Sequence, residues 1–218
     1  MNSRFDYFKM IENKYKSKIS LCKPVVIRLD GKNVCKNEMI NILDESQWTF
    51  SHVMKRTAEY ISNKYQCYVY ISSDEFNIIF LKPYSLYRKF KSIDTQKIVS
   101  LISQEVFFYF NKYFKSQIIY FDARMFNIEQ SKIKSYILYR RGCSINVLTQ
   151  YYAKHTNDVT KEERKFMKFK ELDELLSIKS KGYDKRTTFQ REGLLYAYGD
   201  KYKPLDFLRE FYEYEEEI

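Results

Sequence analysis

Hydrophobic and polar positions change their spacing along the chain, and each spacing predicts a different element. The segment 24–30, Pro-Val-Val-Ile-Arg-Leu-Asp, is rich in β-branched side chains and predicts a strand with Pro24 at its entrance. Three further apolar runs are short enough for strands, and a polar turn at 73–75 joins the first two of them. The predicted strands are 24–30, 67–72, 76–81 and 117–121, the last open to extension as far as 128.

Longer segments carry apolar residues at helical spacing. Phe50, Val53, Met54, Ala58 and Ile61 share one face of a predicted helix. The predicted helices are 50–64, 96–114, 132–154 and 161–178, with shorter ones at 5–16 and 205–217. Strands and helices therefore follow the order β-α-β-β-α-β, which is the ferredoxin-like arrangement. We predict an α+β protein in which residues 1–130 form this domain and residues 131–218 form a helical, basic extension packed on it.

Composition supports a folded protein without a zinc cage or a membrane anchor. The chain has 218 residues, of which 44% are apolar and 18% aromatic, enough for a sizeable core. We expect no membrane association, since no apolar run is long enough to cross a bilayer and no secretory signal precedes residue 16. The four cysteines include no CxxC pair and the two histidines are isolated, which excludes a zinc cage. Reduced thiols indicate a cytoplasmic protein, with a mitochondrial location as the alternative.

The charge balance favours a polyanionic partner. The chain carries 38 Lys and Arg against 28 Asp and Glu, for a net charge of +10. Two basic clusters are candidates for RNA contact, and the second has Tyr183 and Phe189 interleaved, whose rings can stack on unpaired bases. The alternative interpretation is a solvated, lysine-rich surface with core-facing rings. The clusters are Arg88, Lys89 and Lys91, and then Lys181, Lys185, Arg186 and Arg191.

Acidic residues interrupt the strand pattern at two places. Asp30 ends the first strand, and Asp74-Glu75 occupies the turn between the second and third. In the ferredoxin-like arrangement the first and third strands are neighbours, so these carboxylates meet at one end of the sheet. Oxygen ligands suit Mg²⁺, and Gly31 with the N–H groups of residues 32–34 offers a place for phosphate. The alternative is that strand ends and hairpin turns simply favour Asp and Gly.

Five short motifs, in order, resemble the tRNA-His guanylyltransferase family of 3′-5′ RNA polymerases. The family's R-x-D-G box is matched by Arg28–Val34, its S-D-E box by Ser73-Asp74-Glu75, and its F-D-x-R box by Phe121–Arg124. Tyr139-Arg140 with Asn146 resembles a helix motif of the family, and Phe189–Gly193 resembles its Q-(K/R)-x-G stretch. Without the resemblance, an ion pair between Asp122 and Arg124 explains the F-D-x-R box more simply than catalysis does.

The resemblance implies a polymerase palm that adds nucleotides to the 5′ end of tRNA. It implies two Mg²⁺ ions held by Asp30, Asp74 and the Gly31 carbonyl, with Glu75 as a supporting catalytic carboxylate. The N–H groups of Lys32, Asn33 and Val34, together with Ser73, would hold the nucleotide's triphosphate. ATP would activate a 5′-monophosphate, or a 5′-triphosphate would react directly, and the 3′-hydroxyl of GTP or another NTP would then attack. The implied partners are tRNA and NTPs, and the implied assembly is a homodimer or homotetramer.

Departures from the family pattern indicate which branch is nearer. Val34 replaces a Phe, Asn41 stands where a Lys is expected, and 144–147 reads Ser-Ile-Asn-Val instead of a His-containing box. These changes place the chain nearer the Thg-like repair branch than the tRNA-His-specific branch. Two other function classes stay open, a non-catalytic RNA-binding relative and a palm-type nucleotide cyclase. Intact acidic residues argue against the first, and the F-D-x-R box with the basic C-terminal region argues against the second.

Overall fold

A six-stranded antiparallel sheet forms the centre of the protein. The computed structural model describes residues 17–32, 34, 49–155, 159–179, 193–198 and 200–202. The strands in these residues are β1 (Val25–Gly31), β2 (Tyr68–Ser72), β3 (Glu75–Phe80), β4 (Phe121–Asn127), β5 (Leu194–Ala197) and β6 (Asp200–Tyr202). Their order across the sheet is β4-β1-β3-β2-β5-β6. The first four strands in this order have the predicted ferredoxin-like arrangement, with β1 and β3 side by side.

Six α-helices accompany the sheet in the described residues. They are α1 (Phe50–Tyr65), α2 (Tyr84–Phe90), α3 (Thr95–Tyr113), α4 (Ile133–His155), α5 (Lys161–Phe166) and α6 (Phe169–Lys179). Helices α1 and α3 start at Thr49 and Asp94, whose side chains accept hydrogen bonds from backbone N–H groups in the first turn. The α+β class predicted from the sequence is therefore confirmed. No helix in this part of the chain is both long and apolar enough to cross a membrane.

The two faces of the sheet are covered by different helices. Alternate residues of β1 separate the two cores, since Ile27 packs in the larger core with α1 and α3, whereas Val26 packs in the smaller one. Ile133 and Ile137 of α4 complete the smaller core. Because side chains alternate along a strand, Arg28 and Asp30 lie on the same face as Val26. The start of helix α4 covers this face.

Three local structures differ from the sequence-based expectation. Helix α2 was not predicted, and strand β4 begins at Phe121 instead of residue 117. The Asn111 side chain donates to the Ile119 carbonyl and accepts from its N–H, so this backbone is satisfied outside the sheet. The predicted helix 161–178 is two helices, because Met167 is extended and the Lys168 N–H donates to the Glu171 side chain.

The C-terminal extension also contributes to the sheet. Strand β5 pairs with β2 and β6 pairs with β5, so an extension predicted as helical adds two strands to the palm. Gly193 precedes β5 with a φ of 72°, and a Cβ there would lie 2.6 Å from the Tyr70 hydroxyl oxygen. Only glycine permits this close approach without strain. The predicted helices 5–16 and 205–217 lie outside the described residues.

Candidate active site

The end of β1, the β2–β3 turn and helix α4 meet in a cleft at one end of the sheet. Strand β1 ends at Gly31, and the β2–β3 turn lies beside it, where the Gly31 N–H donates to the Asp74 carbonyl at 3.1 Å. Asp30 is paired with Glu75 in the register of β1 and β3. The cleft has a volume of about 400 Å³. Its lining residues are Arg28, Asp30, Gly31, Val34, Ser73, Asp74, Glu75, Arg140, Cys143, Ser144 and Val147.

Glycine is required at position 31 for packing. A Cβ added there would lie 2.5 Å from Cγ2 of Val34 and 3.1 Å from Cβ of Asp74. The first distance is shorter than real side-chain contacts and the second is tighter than most, so any other residue would displace Val34 and crowd Asp74 in the turn. The glycine that the sequence analysis assigned to phosphate approach thus also sets the separation of the two acidic segments.

The β2–β3 turn contains only two residues, Ser73 and Asp74. Ser73 has a φ of 53°, in the left-handed region that a hairpin of this length needs at its first position and that serine adopts at a cost. Its hydroxyl donates to Oδ1 of Asp74 at 3.1 Å. The turn therefore fixes the orientation of the Asp74 carboxylate, and the Ser73 hydroxyl predicted to bind triphosphate is bonded to that carboxylate.

Asp74 and Asp30 are two neighbouring acidic groups, of which Asp74 is buried and Asp30 is partly exposed. The Asp74 residue is only 8% exposed. Burial, reinforced by the negative charge of Asp30, raises the pKa of Asp74 to about 7. Burial also raises the pKa of Asp30, although the ion pair with Arg28 at 2.9 Å opposes this. Both carboxylates would be stabilised in their charged form by a cation between or beside them.

Glu75 has a different environment from its neighbour. The Arg28 Nη2 donates to Glu75 Oε1 at 2.6 Å, and Arg140 Nε donates to Glu75 Oε2 at 2.9 Å, with a second Arg140 bond to Oε1. Burial alone would raise the pKa of Glu75, but these hydrogen bonds outweigh it and lower the pKa below its usual value. Glu75 is therefore an ionised carboxylate whose charge is already compensated by two guanidinium groups.

The acidic pair fits a hard divalent cation. No group of three or more His, Cys, Asp or Glu side chains in the described residues is arranged to hold a metal. Mg²⁺ needs fewer protein ligands than that, because it keeps several waters and binds substrate phosphates in its other positions. A buried carboxylate, Asp74, and a partly exposed one, Asp30, which repel each other beside the close backbone approach at Gly31, meet this requirement. Asp30 and Asp74 are consequently the residues that fit Mg²⁺ in this cleft.

The predicted backbone donors for triphosphate are only partly available. The Lys32 N–H already donates to the Tyr120 carbonyl at 2.8 Å, so this group is not a free donor for phosphate in the structure. Its side chain is exposed, whereas Val34 is buried against the Gly31 backbone. Asn33 lies outside the described residues. The expectation of three consecutive N–H donors at 32–34 therefore stays a prediction, and for Lys32 it requires that the N–H leave the Tyr120 carbonyl.

The first basic cluster lies away from the cleft. Arg88, Lys89 and Lys91 are exposed at the end of α2, beyond the last residue of β3, whereas Asp74 precedes the first. The six residues of β3 span about 17 Å between the β2–β3 turn and the segment that leads to α2. Lys89 lies over the Tyr65 ring, with its Nζ 4.9 Å from the ring centroid. The second cluster, Lys181, Lys185, Arg186 and Arg191, lies outside the described residues.

Several lining residues were not identified as functional from the sequence. Arg28 lies two residues before Asp30 and shares its face of the strand, a signal that alternation makes visible. Arg140 appeared only as part of a motif, and its contact with Glu75 bridges 65 positions of sequence. Ser144 of α4 shares a hydrogen bond of 2.8 Å with the Ser72 hydroxyl. Asp122 and Arg124 form the ion pair expected from their spacing, at 3.1 Å.

The pKa of Asp74 predicts a pH-dependent response to Mg²⁺. A carboxyl with a raised pKa keeps its proton in the folded state, so stability of the metal-free protein falls as pH rises from about 4 to about 7. Above pH 7 the carboxylate is ionised and a cation relieves the repulsion. We therefore expect millimolar Mg²⁺ to raise the melting temperature more at pH 8 than at pH 6. Thermal melts of the wild type, Asp74→Asn and the exposed control Glu162→Gln test this, and an equal shift at both pH values in the wild type would contradict it.

Comparisons with known proteins agree with this fold. A sequence model of the Thg1 family, described as tRNAHis guanylyltransferase, matches residues 5–129, more than half of the chain. This range includes Arg28, Asp30, Asp74, Glu75 and the Asp122–Arg124 pair. A search of curated protein sequences finds no match.

Three solved structures of this kind have a similar fold. A bacterial Thg1-like protein in complex with ATP has a TM-score of 0.75 and 20% identity, over 96% of this chain and 97% of the other. A bacterial Thg1-like protein with GTP has a TM-score of 0.68 and 19% identity, over 88% and 83%. The Saccharomyces cerevisiae tRNAHis guanylyltransferase has a TM-score of 0.70 and 18% identity, over 92% and 95%. At these identities the likeness establishes the fold, and it extends past residue 129. With the sequence match, it shows that the chain belongs to the Thg1 family of tRNAHis guanylyltransferases.

Proposed function

We propose that the protein adds nucleotides to the 5′ end of tRNA with Mg²⁺ held by Asp30 and Asp74. Enzymes of its family are tRNA nucleotidyltransferases, and similar structures hold ATP and GTP. The observation that carries the proposal is the pairing of two carboxylates, one at the end of β1 and one in the β2–β3 turn, in a cleft lined by two arginines. A non-catalytic RNA-binding protein would gain nothing from acidic groups in the surface that faces the RNA phosphates.

The residues of the cleft have separate tasks in this reaction. Mg²⁺ ions bound there supply Lewis acidity for the attacking hydroxyl and for the leaving phosphate group. Asp30 and Asp74 hold the cations, and the bond between the Gly31 N–H and the Asp74 carbonyl keeps the two segments at a fixed separation. Ser73 orients the Asp74 carboxylate through its hydroxyl. None of the lining side chains has to act as a covalent nucleophile, since the 3′-hydroxyl of the incoming NTP attacks the activated 5′ phosphate. The new phosphodiester bond replaces the phosphoanhydride bond, and AMP leaves an adenylylated end or pyrophosphate leaves a 5′-triphosphate.

An extension assay tests the proposal directly. A tRNA lacking its first nucleotide and carrying a labelled 5′ phosphate is incubated with Mg²⁺, ATP and each NTP in turn. The expected product is longer by one nucleotide at its 5′ end, and omission of Mg²⁺ abolishes it. A 5′-triphosphate tRNA should react without ATP. Growth at the 3′ end, or no product under any condition, would contradict the proposal.

We propose further that α2 contributes to tRNA binding at a distance from the cleft. Each phosphate contact releases counterions, so the log–log slope of affinity against salt changes by about 0.7 to 0.9 per contact. Replacing Arg88 and Lys91 by Ala should therefore flatten the slope by about 1.5 units. The matched control is the double substitution of the exposed Lys115 and Lys154, which removes the same charge elsewhere. Equal slopes for the two double variants in filter-binding titrations would remove α2 from the RNA-binding surface.

The basic residues 181, 185, 186 and 191 remain a second candidate for RNA contact, on the evidence of the sequence alone. Homodimer or homotetramer formation likewise remains a prediction from the family resemblance. Sedimentation analysis of the protein with and without tRNA measures both the assembly and its dependence on RNA.

A further inference from the structure

We infer that Arg140 is a positioning residue that, together with Arg28, keeps Glu75 from binding the metal and fixes α4 over the cleft. The inference rests on the proposed function, because it concerns the same cleft. It assigns Glu75 a role different from that of Asp74, its neighbour in sequence. The contact unites three elements, since Arg28 belongs to β1, Glu75 to β3 and Arg140 to α4.

The geometry leaves Glu75 little capacity for another ligand. Arg140 binds both carboxylate oxygens, through Nε to Oε2 at 2.9 Å and through Nη2 to Oε1, while Arg28 Nη2 reaches Oε1 at 2.6 Å. The same Arg28 atom also lies 2.9 Å from Asp30 Oδ2, so the two-oxygen bond with Arg140 is what distinguishes Glu75 from Asp30. The paired fork of a guanidinium and a carboxylate is the strongest and most directional ion pair available to side chains. A cation would have to displace this fork before it could share the Glu75 oxygens.

Burial makes the cluster costly to disturb. The side chains of Glu75, Arg140 and Arg28 are only 8%, 12% and 16% exposed. Removing one partner from such a group leaves a charge in a poorly solvated place, whereas removing two opposite partners together restores the balance. This asymmetry means that the effects of substituting Glu75 and Arg140 should not be additive.

The cluster also explains how α4 is held at the cleft. Apolar contacts of Ile133 and Ile137 attach the start of the helix to the sheet, and two polar contacts continue along it. Tyr136 donates to Asn77 Oδ1 at 2.7 Å, and Arg140 follows one turn later on the same side. Cys143, Ser144 and Val147, which line the cleft, are therefore placed by Arg140 just before them together with the 2.8 Å hydrogen bond between the Ser144 and Ser72 hydroxyls.

A titration with Mn²⁺ alone separates a positioning role from a ligand role. If Glu75 is held away from the metal, Glu75→Gln should change the Mn²⁺ dissociation constant by less than about 3-fold, whereas Asp74→Asn should weaken it more than about 30-fold. Mn²⁺ binding is followed by its electron paramagnetic resonance signal, independently of turnover. Equal losses for Glu75→Gln and Asp74→Asn would show that Glu75 is a ligand and would overturn the inference.

Steady-state kinetics test the effect of Arg140 on the cleft. We expect Arg140→Gln to lower kcat by about 10- to 100-fold while KM for the NTP stays within about 3-fold, because misplaced groups slow the chemistry more than the binding. Arg140→Lys keeps the charge without the fork and should recover only part of this loss. The matched control is Arg141→Gln, the neighbouring arginine of the same helix, which should leave both parameters unchanged. A change in KM alone would contradict the positioning role.

A double-mutant cycle on unfolding tests whether Glu75 and Arg140 stabilise each other, whether or not the wild type binds Mn²⁺. Absence of Mn²⁺ binding by the wild type would refute the proposed function. If the two single substitutions acted independently, their effects on the folding equilibrium constant would multiply. The measured constant of the double variant Glu75→Gln with Arg140→Gln should be at least about 10-fold higher than that product. Independent effects would overturn the inference in every case. If the effects on unfolding are non-additive and Mn²⁺ does not bind, the stabilising contact between Glu75 and Arg140 is supported and the proposed metal site is rejected.

Discussion

Replacing Asp74 by Asn is expected to lower the rate of nucleotide addition at least about 1,000-fold, which corresponds to about 4 kcal/mol of transition-state stabilisation. The substitution removes a charge that the proposed site uses to hold Mg²⁺ but barely changes the volume of the side chain. It also removes the cost of burying the Asp74 charge and the repulsion between Asp74 and Asp30, which together raise the Asp74 pKa in the metal-free protein. The variant should therefore melt at the same temperature as the wild type or above it in the absence of Mg²⁺. Asp30→Asn should lose activity to a similar extent.

A control distinguishes this loss from a general effect of charge. Glu129 is exposed and paired with Lys23, next to the beginning of β1 and far from its acidic end. Glu129→Gln should retain activity within about 3-fold, the range of an ordinary surface substitution. Wild-type turnover of Asp74→Asn in the presence of Mg²⁺, measured by single-turnover extension of labelled tRNA, would exclude Asp74 from the site.

The convergence of Asp30 and Asp74 follows from information that is local in sequence. The β-branched run before Asp30 and the two-residue turn at Ser73-Asp74 each indicate where a strand stops. The β-α-β-β order then requires β1 and β3 to be neighbours. Only the general topology is needed to bring the two carboxylates together, and in the structure both line the same cleft.

The helix and strands that the sequence analysis missed depend on tertiary contacts. Strand β5 is four residues long and has no alternating pattern, and it is defined by pairing with β2 after the close approach of Gly193. Helix α2 is short, and in the sequence its basic residues suggested a loop. Its only buried residue is Leu86. Such elements are decided by the surface on which they pack, which no local pattern contains.

The same limitation applies to the charges of the cleft. Three consecutive polar residues, Ser73, Asp74 and Glu75, look equivalent in the sequence. In the structure Asp74 has a raised pKa and Glu75 a lowered one, because only Glu75 is hydrogen-bonded by two arginines. The difference comes from Arg28 and from Arg140, and Arg140 is so remote in sequence that no local pattern indicates its contact with Glu75. A sequence motif therefore locates the acidic segment but does not assign a role to each carboxylate.

Nucleotide choice is where the proposed repair-type activity and tRNA-His-specific guanylylation differ most. The departures at Val34, Asn41 and 144–147 favour the repair branch, in which the opposite strand of the acceptor stem acts as template. A single pocket cannot recognise four different bases by its own hydrogen bonds, because each base presents a different set of donors and acceptors. Selection by pairing with the facing base avoids this difficulty, and a mismatched NTP then loses hydrogen bonds worth about 1 to 3 kcal/mol in a desolvated position.

We therefore expect a tRNA lacking its first 5′ nucleotide to be extended with the NTP complementary to the facing 3′-strand base. The preference over each mismatched NTP should be at least about 30-fold in kcat/KM, which corresponds to about 2 kcal/mol. The measurement uses four truncated tRNAs that differ only in the facing base, each incubated with every NTP, and the products are resolved on a gel. Because the four substrates share one acceptor stem, differences between them report the template base and not overall tRNA affinity. Addition of G opposite all four bases would assign the protein to the tRNA-His-specific mode and would refute the choice of branch, while leaving the metal site unaffected.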